Sequence, residues 1–316
     1  MKTIFLDAEG LDNLVLEDLK SECDSFELFS STDPDKTEER ITGAELIIVN
    51  KVKITRTHLE NAPSTKLICV VATGTDIIDL QAAADLGVTV CNCQAYGTDS
   101  VAQHVFASIL ALFTSLLSYH DSVRRGQWQK ASQFCFLDHP IIELKGKTLG
   151  IVGYGNNGRR VAEIARAFGM NIVVSRRPGK TEDDRPELKE MLPEVDVLTL
   201  HCPLTPQTKN LINSETLALM KPTAFLVNAA RGGIVDEEAL LESLKSCRLA
   251  GAAVDVLSVE PPRDSNPLLD AKLPNLIITP HCAWASREAR QQIIDQTVEN
   301  IRAFKAGNPV RVVQIQ

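Results

Sequence analysis

No two cysteines of the chain stand in a CxxC pair, no block of lysine and arginine occurs, and no apolar run reaches the length of a membrane span. Each absence excludes something. Of the eight cysteines, at 23, 69, 91, 93, 135, 202, 247 and 282, only Cys91 and Cys93 are close, and no second pair or histidine cluster joins them. Cys202 and Cys282 each follow a histidine, but neighbours on a strand point to opposite faces, so these dipeptides make poor metal sites and no metal is expected. Free, mostly buried thiols in a reducing cytoplasm are the expectation. The formal charge of -8, from 33 Lys+Arg against 41 Asp+Glu, carries no clustered positive field, so neither nucleic acid nor a membrane surface is an expected partner. A small molecule is. The opening MKTIFLDAEGLDN meets Asp7 and Glu9 before any run of signal-peptide length, which argues against secretion. Residues 100–120 contain no Asp, Glu, Lys or Arg, yet the dense apolar part, 105–117, includes Ser108, Thr114 and Ser115 and falls short of the ~20 residues of a span. It is expected to be a helix buried in the core or in a subunit interface.

The length of 316 residues suggests about two domains, and 44% apolar with 23% charged residues is globular composition that excludes disorder, collagen and coiled coil. Short β-rich runs at 3–6, 26–29, 46–49, 67–71 and 88–91 alternate with helical patterns such as 79–86. After a long helix beginning near Thr98, a second series runs through 148–152, 172–174, 195–200, 224–228 and 250–254. This spacing predicts an α/β protein with two Rossmann-like, doubly wound parallel sheets. An amphipathic helix is predicted over 286–305, with Ile293, Ile294, Val298, Ile301 and Phe304 on one face and Gly307, Asn308 and Pro309 after it. The irregular stretch 122–142 reads as a surface arm with Trp128 and Phe134 as aromatic anchors.

The run TLGIVGYGNNGRRVA is an apolar strand, a GxGxxG loop and a helix start. In that context Gly153 permits the tight turn, Gly155 lets main-chain N–H groups of the loop, with Asn156 and Asn157, approach a pyrophosphate, and Gly158 lets helix and strand pack closely. A dinucleotide is therefore the expected cofactor. A unit that prefers NAD ends its second strand with Asp or Glu for the ribose hydroxyls. Here that strand ends in Ser175, followed by Arg176 and Arg177, which suit the 2'-phosphate of NADP through bidentate charge-assisted bonds. NADP is the preferred reading, with NAD the alternative.

Beyond the loop, Arg231 follows one predicted strand, Asp255 and Glu260 follow the next, and His281 closes the series. Ligands of open α/β sheets bind at that carboxyl edge, which makes Arg231, Glu260 and His281 a candidate catalytic set. Singly, each has a plain structural reading as a loop salt bridge, a solvated acid or a structural histidine.

Five stretches, GIVGYGNNG, HCPLTPQT, VNAARGGIVDEEAL, DVLSVEPP and PHCAWAS, occur in this order. Through them the chain resembles the D-isomer-specific 2-hydroxyacid dehydrogenase family over essentially its whole length. Within the family, NCQAYGTDSVAQH and HCAWAS with SREAR look like the glycerate dehydrogenase or hydroxypyruvate (glyoxylate) reductase branch. The resemblance implies a discontinuous, flavodoxin-like substrate domain, 1–98 plus 284–316, with a dinucleotide-binding Rossmann domain, 99–283, inserted in it. It implies that hydride passes between NAD(P)H and a small 2-oxo acid, taking hydroxypyruvate to D-glycerate or glyoxylate to glycolate. Arg231 would hold the substrate's carboxylate and carbonyl oxygen, His281 would give that oxygen a proton, and Glu260 would favour the imidazolium and fix its tautomer. The turn Ala72, Thr73, Gly74 and Thr75 would grip the substrate carboxylate. Asn228, Ala229, Ala230, Asp255 and Ala283 would lie by the nicotinamide, and His201, Pro203 and Thr205 by the adenosine and ribose. Trp284 would restrict the substrate pocket or pack between domains. A cytoplasmic homodimer is implied, assembled through the uncharged helix and the arm. Asn157 departs from the aliphatic residue usual before the third glycine. With no regulatory domain expected after Gln316, the long phosphoglycerate dehydrogenases with C-terminal regulatory domains are disfavoured. Competing readings are a dehydrogenase of a different D-2-hydroxy acid, a phosphonate or formate dehydrogenase, and a dinucleotide-sensing binding protein of the same fold.

Overall fold

Aliphatic runs set the sheets: LIIV at Leu46–Val49 and LICV at Leu67–Val70 are buried at every position, as parallel strands covered on both faces must be. The computed structural model describes residues 1–11, 13–180 and 183–314. The chain divides into two compact units, Met1–Gly97 with Ala285–Gln316, and Thr98–Trp284.

In the first unit β1 (Lys2–Phe5), β2 (Ser25–Leu28), β3 (Leu46–Val49), β4 (Leu67–Val70) and β5 (Thr89–Cys91) form one parallel sheet in the order β2-β1-β3-β4-β5. The helix Arg287–Lys305 belongs to this unit for a specific reason. Its N-terminus is capped by the Ser286 hydroxyl, and it buries Ile293, Ile294, Val298 and Ile301. Its polar side chains then satisfy the chain just after β5: Gln296 exchanges two hydrogen bonds of 2.9 Å with the main chain of Gln94, and Asn300 Nδ2 donates to the Asn92 carbonyl at 3.0 Å.

In the second unit β6 (Thr148–Val152), β7 (Asn171–Val174), β8 (Val197–Leu200), β9 (Phe225–Asn228), β10 (Gly251–Val254) and β11 (Leu276–Ile278) form a parallel sheet in the order β11-β10-β9-β8-β6-β7. The two parallel α/β sheets expected from the spacing are present. β11 is an addition to the strands read from sequence; it is three residues long, at the sheet edge, and Pro280 follows closely. The order reverses between β7-β6 and β8, and such a switch point opens a crevice at the strands' carboxyl ends.

Three expectations change. The apolar segment 105–117 is not one helix: Thr98–Phe113 ends where the Thr114 hydroxyl donates back to the Leu110 carbonyl at 2.7 Å, and Ser115, at φ 50°, starts the helix Leu116–Arg124 in a new direction. Its first part is core, whereas Leu116 and Leu117 are exposed. No single helix among the described residues is long and apolar enough to cross a membrane. In the arm, Trp128 and Phe134 do not anchor: both are exposed, Phe134 at 88%. Tyr119 anchors instead, donating to the His139 carbonyl at 2.7 Å and packing its ring against Phe136 and His139. The thiols are all free, but only Cys69, Cys91, Cys93 and Cys202 are buried, while Cys247 and Cys282 are exposed.

Candidate active site

Strand register gathers the candidate residues. Val152, Leu200, Asn228, Val254 and Ile278 lie in one row across β6, β8, β9, β10 and β11. The chain therefore leaves all five strands at one edge, which carries Gly153, His201, Ala229 to Arg231, Asp255 and Thr279 to His281. The ladder continues past the row, with His201 N–H on the Val152 carbonyl at 2.7 Å and Asp255 N–H on the Asn228 carbonyl at 2.9 Å.

The glycine loop is a cradle. Gly153 has φ 94°, and a Cβ there would stand 2.6 Å from the main chain of His201 and Cys202, so only glycine lets β6 turn beside β8. Gly155 faces open space and caps the helix Asn156–Ala167 without a side-chain hydrogen bond, and no acid sits in the first turn. The first N–H groups and the positive end of the helix thus await an anion. Gly158 is buried, and Asn157 is half-buried with no side-chain hydrogen bond among the described residues. Beside the loop, His201 Nε2 lies 3.0 Å from Thr199 Oγ1 while Nδ1 is buried with no partner. Burial pushes this imidazole down to about 4, so it is neutral near pH 7. An orphaned buried ring nitrogen next to an open anion cradle fits a nucleotide that brings its own hydroxyl or amine groups.

Of the three residues after β7, Ser175 is buried and its hydroxyl donates to the Arg176 carbonyl at 3.2 Å. Arg176 is engaged by Glu187 at 3.1 Å and by the Arg185 carbonyl at 3.2 Å. Asp183 is clasped by the Arg185 guanidinium, which holds its carboxyl well below the usual range. Arg177 is exposed, and its side chain has no partner among the described residues. Across the edge, Thr208 Oγ1 donates to the Pro203 carbonyl at 2.6 Å and accepts from Thr205 N at 2.7 Å, folding that loop on itself.

Asn228 is 1% exposed and staples the loop after β9: its Oδ1 accepts from Ala230 N at 3.1 Å and its Nδ2 donates to the Arg231 carbonyl at 2.9 Å. Arg231 is exposed at the tip, its Nη1 donating to the Ala230 carbonyl at 2.7 Å. Behind it a Cβ on Gly232 would lie 1.9 Å from the Leu257 carbonyl carbon, so this glycine lets the β9 and β10 loops touch. From the β10 loop Glu260 Oε2 meets His281 Nδ1 at 2.6 Å, while its Oε1 accepts from Leu257 N at 2.7 Å. The carboxylate is itself oriented, and it fixes the ring so that Nδ1 donates and Nε2 faces away.

His281 adopts φ 51°, a costly conformation for this residue, and the turn is held from three sides. His281 N donates to the Asp255 carbonyl at 2.7 Å, Cys282 N and Ala283 N donate to the Asp255 carboxylate at 3.0 and 2.8 Å, and Trp284 Nε1 donates to the His281 carbonyl at 2.9 Å. Asp255, 3% exposed, is therefore engaged in shaping this turn. Two partners that sequence reasoning missed complete it: Thr279 Oγ1 donates to Asp255 Oδ1 at 2.5 Å, and His104 Nε2 lies 3.2 Å from Thr279 Oγ1. Thr279 and His104 are 175 residues apart, with no spacing signal to join them.

In the first unit the turn after β4 is tied by Asn92 Nδ2 on the Thr73 carbonyl at 2.8 Å and by Cys93 N on the Ala72 carbonyl at 3.0 Å. Among the described residues, the main-chain N–H groups of Thr73, Gly74 and Thr75 donate to nothing in the chain. They form an unfilled set of anion donors.

Known proteins resemble this chain over nearly its whole length. The D-isomer specific 2-hydroxyacid dehydrogenase NAD binding domain matches residues 106–283. The chain is 46% identical over 314 residues to a glycerate dehydrogenase of Methylorubrum extorquens, covering 99% of each protein. It is 38% identical to a hydroxypyruvate reductase of Blautia hydrogenotrophica, over 98% of this chain and 95% of that protein. A solved structure of the NADPH-dependent glyoxylate/hydroxypyruvate reductase of Sinorhizobium meliloti, in complex with NADP and malonate, is similar with a TM-score of 0.81 and 26% identity, over 99% of this chain and 96% of that one. The chain belongs to the D-isomer-specific 2-hydroxyacid dehydrogenase family.

Proposed function

We propose that the protein is an NAD(P)H-dependent reductase of small 2-oxo acids, taking hydroxypyruvate to D-glycerate and glyoxylate to glycolate. The observation that carries this reading is the 2.6 Å pair of His281 and Glu260 at the sheet edge that also bears Arg231. Identity of 46% and 38% with whole-length relatives named for these activities supports the same substrates.

The glycine loop and the N-terminus of Asn156–Ala167 would hold the pyrophosphate, and His201 would meet the nucleoside. The reduced nicotinamide supplies the hydride when bound. Every other task falls to groups of the chain itself. His281 delivers a proton from Nε2 to the keto oxygen as that oxygen gains negative charge, with Glu260 accepting from Nδ1–H throughout. Arg231 places a fixed cation beside the same oxygen and the substrate carboxylate, where charge develops. The free N–H groups of Thr73, Gly74 and Thr75 suit the carboxylate. A 2-oxo acid, hydride and proton give the 2-hydroxy acid, and a solvent proton then returns to His281. We assign Met1–Gly97 with Ala285–Gln316 to the substrate and Thr98–Trp284 to the nucleotide.

NADPH is the preferred cofactor in this reading, because Arg177 presents a guanidinium with no partner among the described residues and no acid ends β7. The exposed Leu116, Leu117, Trp128, Phe134, Leu137 and Ile141 favour a homodimer, and eight free cysteines favour the cytoplasm. The test is initial rates of reduced-nicotinamide oxidation with hydroxypyruvate, glyoxylate and pyruvate, using NADPH and then NADH. Rapid turnover of the first two acids is expected, and Arg177→Ala should raise KM for NADPH by ~10-fold while leaving NADH untouched. Tight cofactor binding without turnover of any acid would favour the sensor reading.

A further inference from the structure

Three groups outside the proposed proton-donor pair meet beneath the His281 turn. The Thr279 hydroxyl has one proton, and it goes to Asp255 Oδ1 at 2.5 Å. Towards His104 the same oxygen can only accept, so His104 Nε2, at 3.2 Å, carries a proton and donates it. His104 is half-buried on Thr98–Phe113, the helix that also supplies the Ser100 hydroxyl to the Ala283 carbonyl at 2.7 Å. Asp255 Oδ1 then receives Thr279 Oγ1 and Cys282 N, and Oδ2 receives Ala283 N. The result is a network converging on one buried carboxylate: His104 donates to Thr279, and Thr279 and the two N–H groups that follow His281 all donate to Asp255.

His104, Asp255 and Cys282 also bring ligand-type atoms within 4.8 Å of one another. Both acceptor sites of Asp255 Oδ1 are already taken by protein donors. The cluster reads as a hydrogen-bonded strut.

We propose that His104 and Thr279 are positioning residues of the proton donor: acting through the Asp255 carboxylate, they hold the turn 281–283 so that His281 keeps its φ of 51° and its bond to Glu260. The physical case is that a left-handed histidine survives only where its surroundings over-determine it. Removing the Thr279 hydroxyl takes the hydrogen-bond partner from His104 Nε2 and one of the two donors from Asp255 Oδ1 at the foot of that turn. The proposal rests on the reading of His281 as proton donor for its kinetic consequence, and on the hydrogen bonds alone for its structural one.

Thr279→Val keeps the shape and deletes the hydroxyl, while Thr279→Ser restores the hydroxyl. His104→Leu deletes the donor, and His104→Gln offers an amide N–H in its place. With hydroxypyruvate and NADPH, Thr279→Val and His104→Leu are expected to lower kcat by ~10- to 100-fold, with KM for NADPH unchanged. Thr279→Ser and His104→Gln should recover most of it. Independently of turnover, hydrogen exchange of the Cys282 and Ala283 amides should speed up in the first two variants and return towards wild type in the second two. Unchanged kcat and unchanged exchange in a Thr279→Val protein that melts like wild type would overturn the proposal, as would a loss that appears as KM for NADPH. If the wild-type protein turns over no 2-oxo acid, the functional reading fails, and the exchange result still decides whether the strut holds the turn.

Discussion

The two units share a strand order and differ in what they place on its carboxyl edge. In each sheet the second strand lies outside the first, and the chain then crosses to the third. In the first unit the turn 72–75 after β4 offers the main-chain N–H groups of Thr73, Gly74 and Thr75 and no charged side chain. In the second, the edge carries a guanidinium, a carboxylate and an imidazole, each steadied by another group: Asn228 for the Arg231 loop, Leu257 N–H for Glu260, Asp255 for the His281 turn. One scaffold thus presents unpaired main-chain N–H groups in one unit and braced polar side chains in the other, the difference lying in the loops.

Substitution should break this asymmetry on one side only. The largest effect belongs to His281→Asn, expected to lower kcat by ~10³-fold with cofactor affinity intact; a residual rate within tenfold of wild type would remove His281 from its role. Arg231→Ala should follow, with kcat/KM for hydroxypyruvate down ~10²-fold or more through both constants. The stability of the nucleotide unit should fall on acidification. The unfolded chain binds a proton at His201 near 6.5 whereas the folded protein resists it to about 4, so stability present above pH 6.5 is lost as pH falls through that window. Melting temperatures of wild type and His201→Gln should converge between pH 6.5 and pH 4, and parallel curves would show that His201 is not the titrating group. Smallest is Thr73→Ala in the first unit. Its backbone N–H remains, so kcat/KM should change less than tenfold, under ~1.4 kcal/mol. A loss as large as that of Arg231→Ala would mean that side chains carry recognition there too.

Much of this architecture was legible in the sequence, and the misses share a cause. β3 and β6 appear at the predicted bounds because unbroken aliphatic runs leave no other state. The glycine loop was legible because Gly153 and Gly158 answer local steric demands and Gly155 leaves the space before the helix open. The break at Thr114 and Ser115 was missed, since composition records that a segment is apolar and not that a hydroxyl turns back onto the helix. Likewise Ser175, Arg176 and Arg177 look alike as candidates in a string, and only the fold buries the first, engages the second and presents the third.

The sequence by itself determined the α/β class, the glycine loop between strand and helix and the placing of Arg231, Glu260 and His281 after successive strands, because strand runs, tight turns and motif order are short-range properties written along the chain. Tertiary structure alone decided which loops share an edge, through the register that aligns Val152 with Leu200, Asn228, Val254 and Ile278. It alone also decided that His104 meets Thr279 across 175 residues. Such pairings arise from packing between elements, and packing has no period in the sequence.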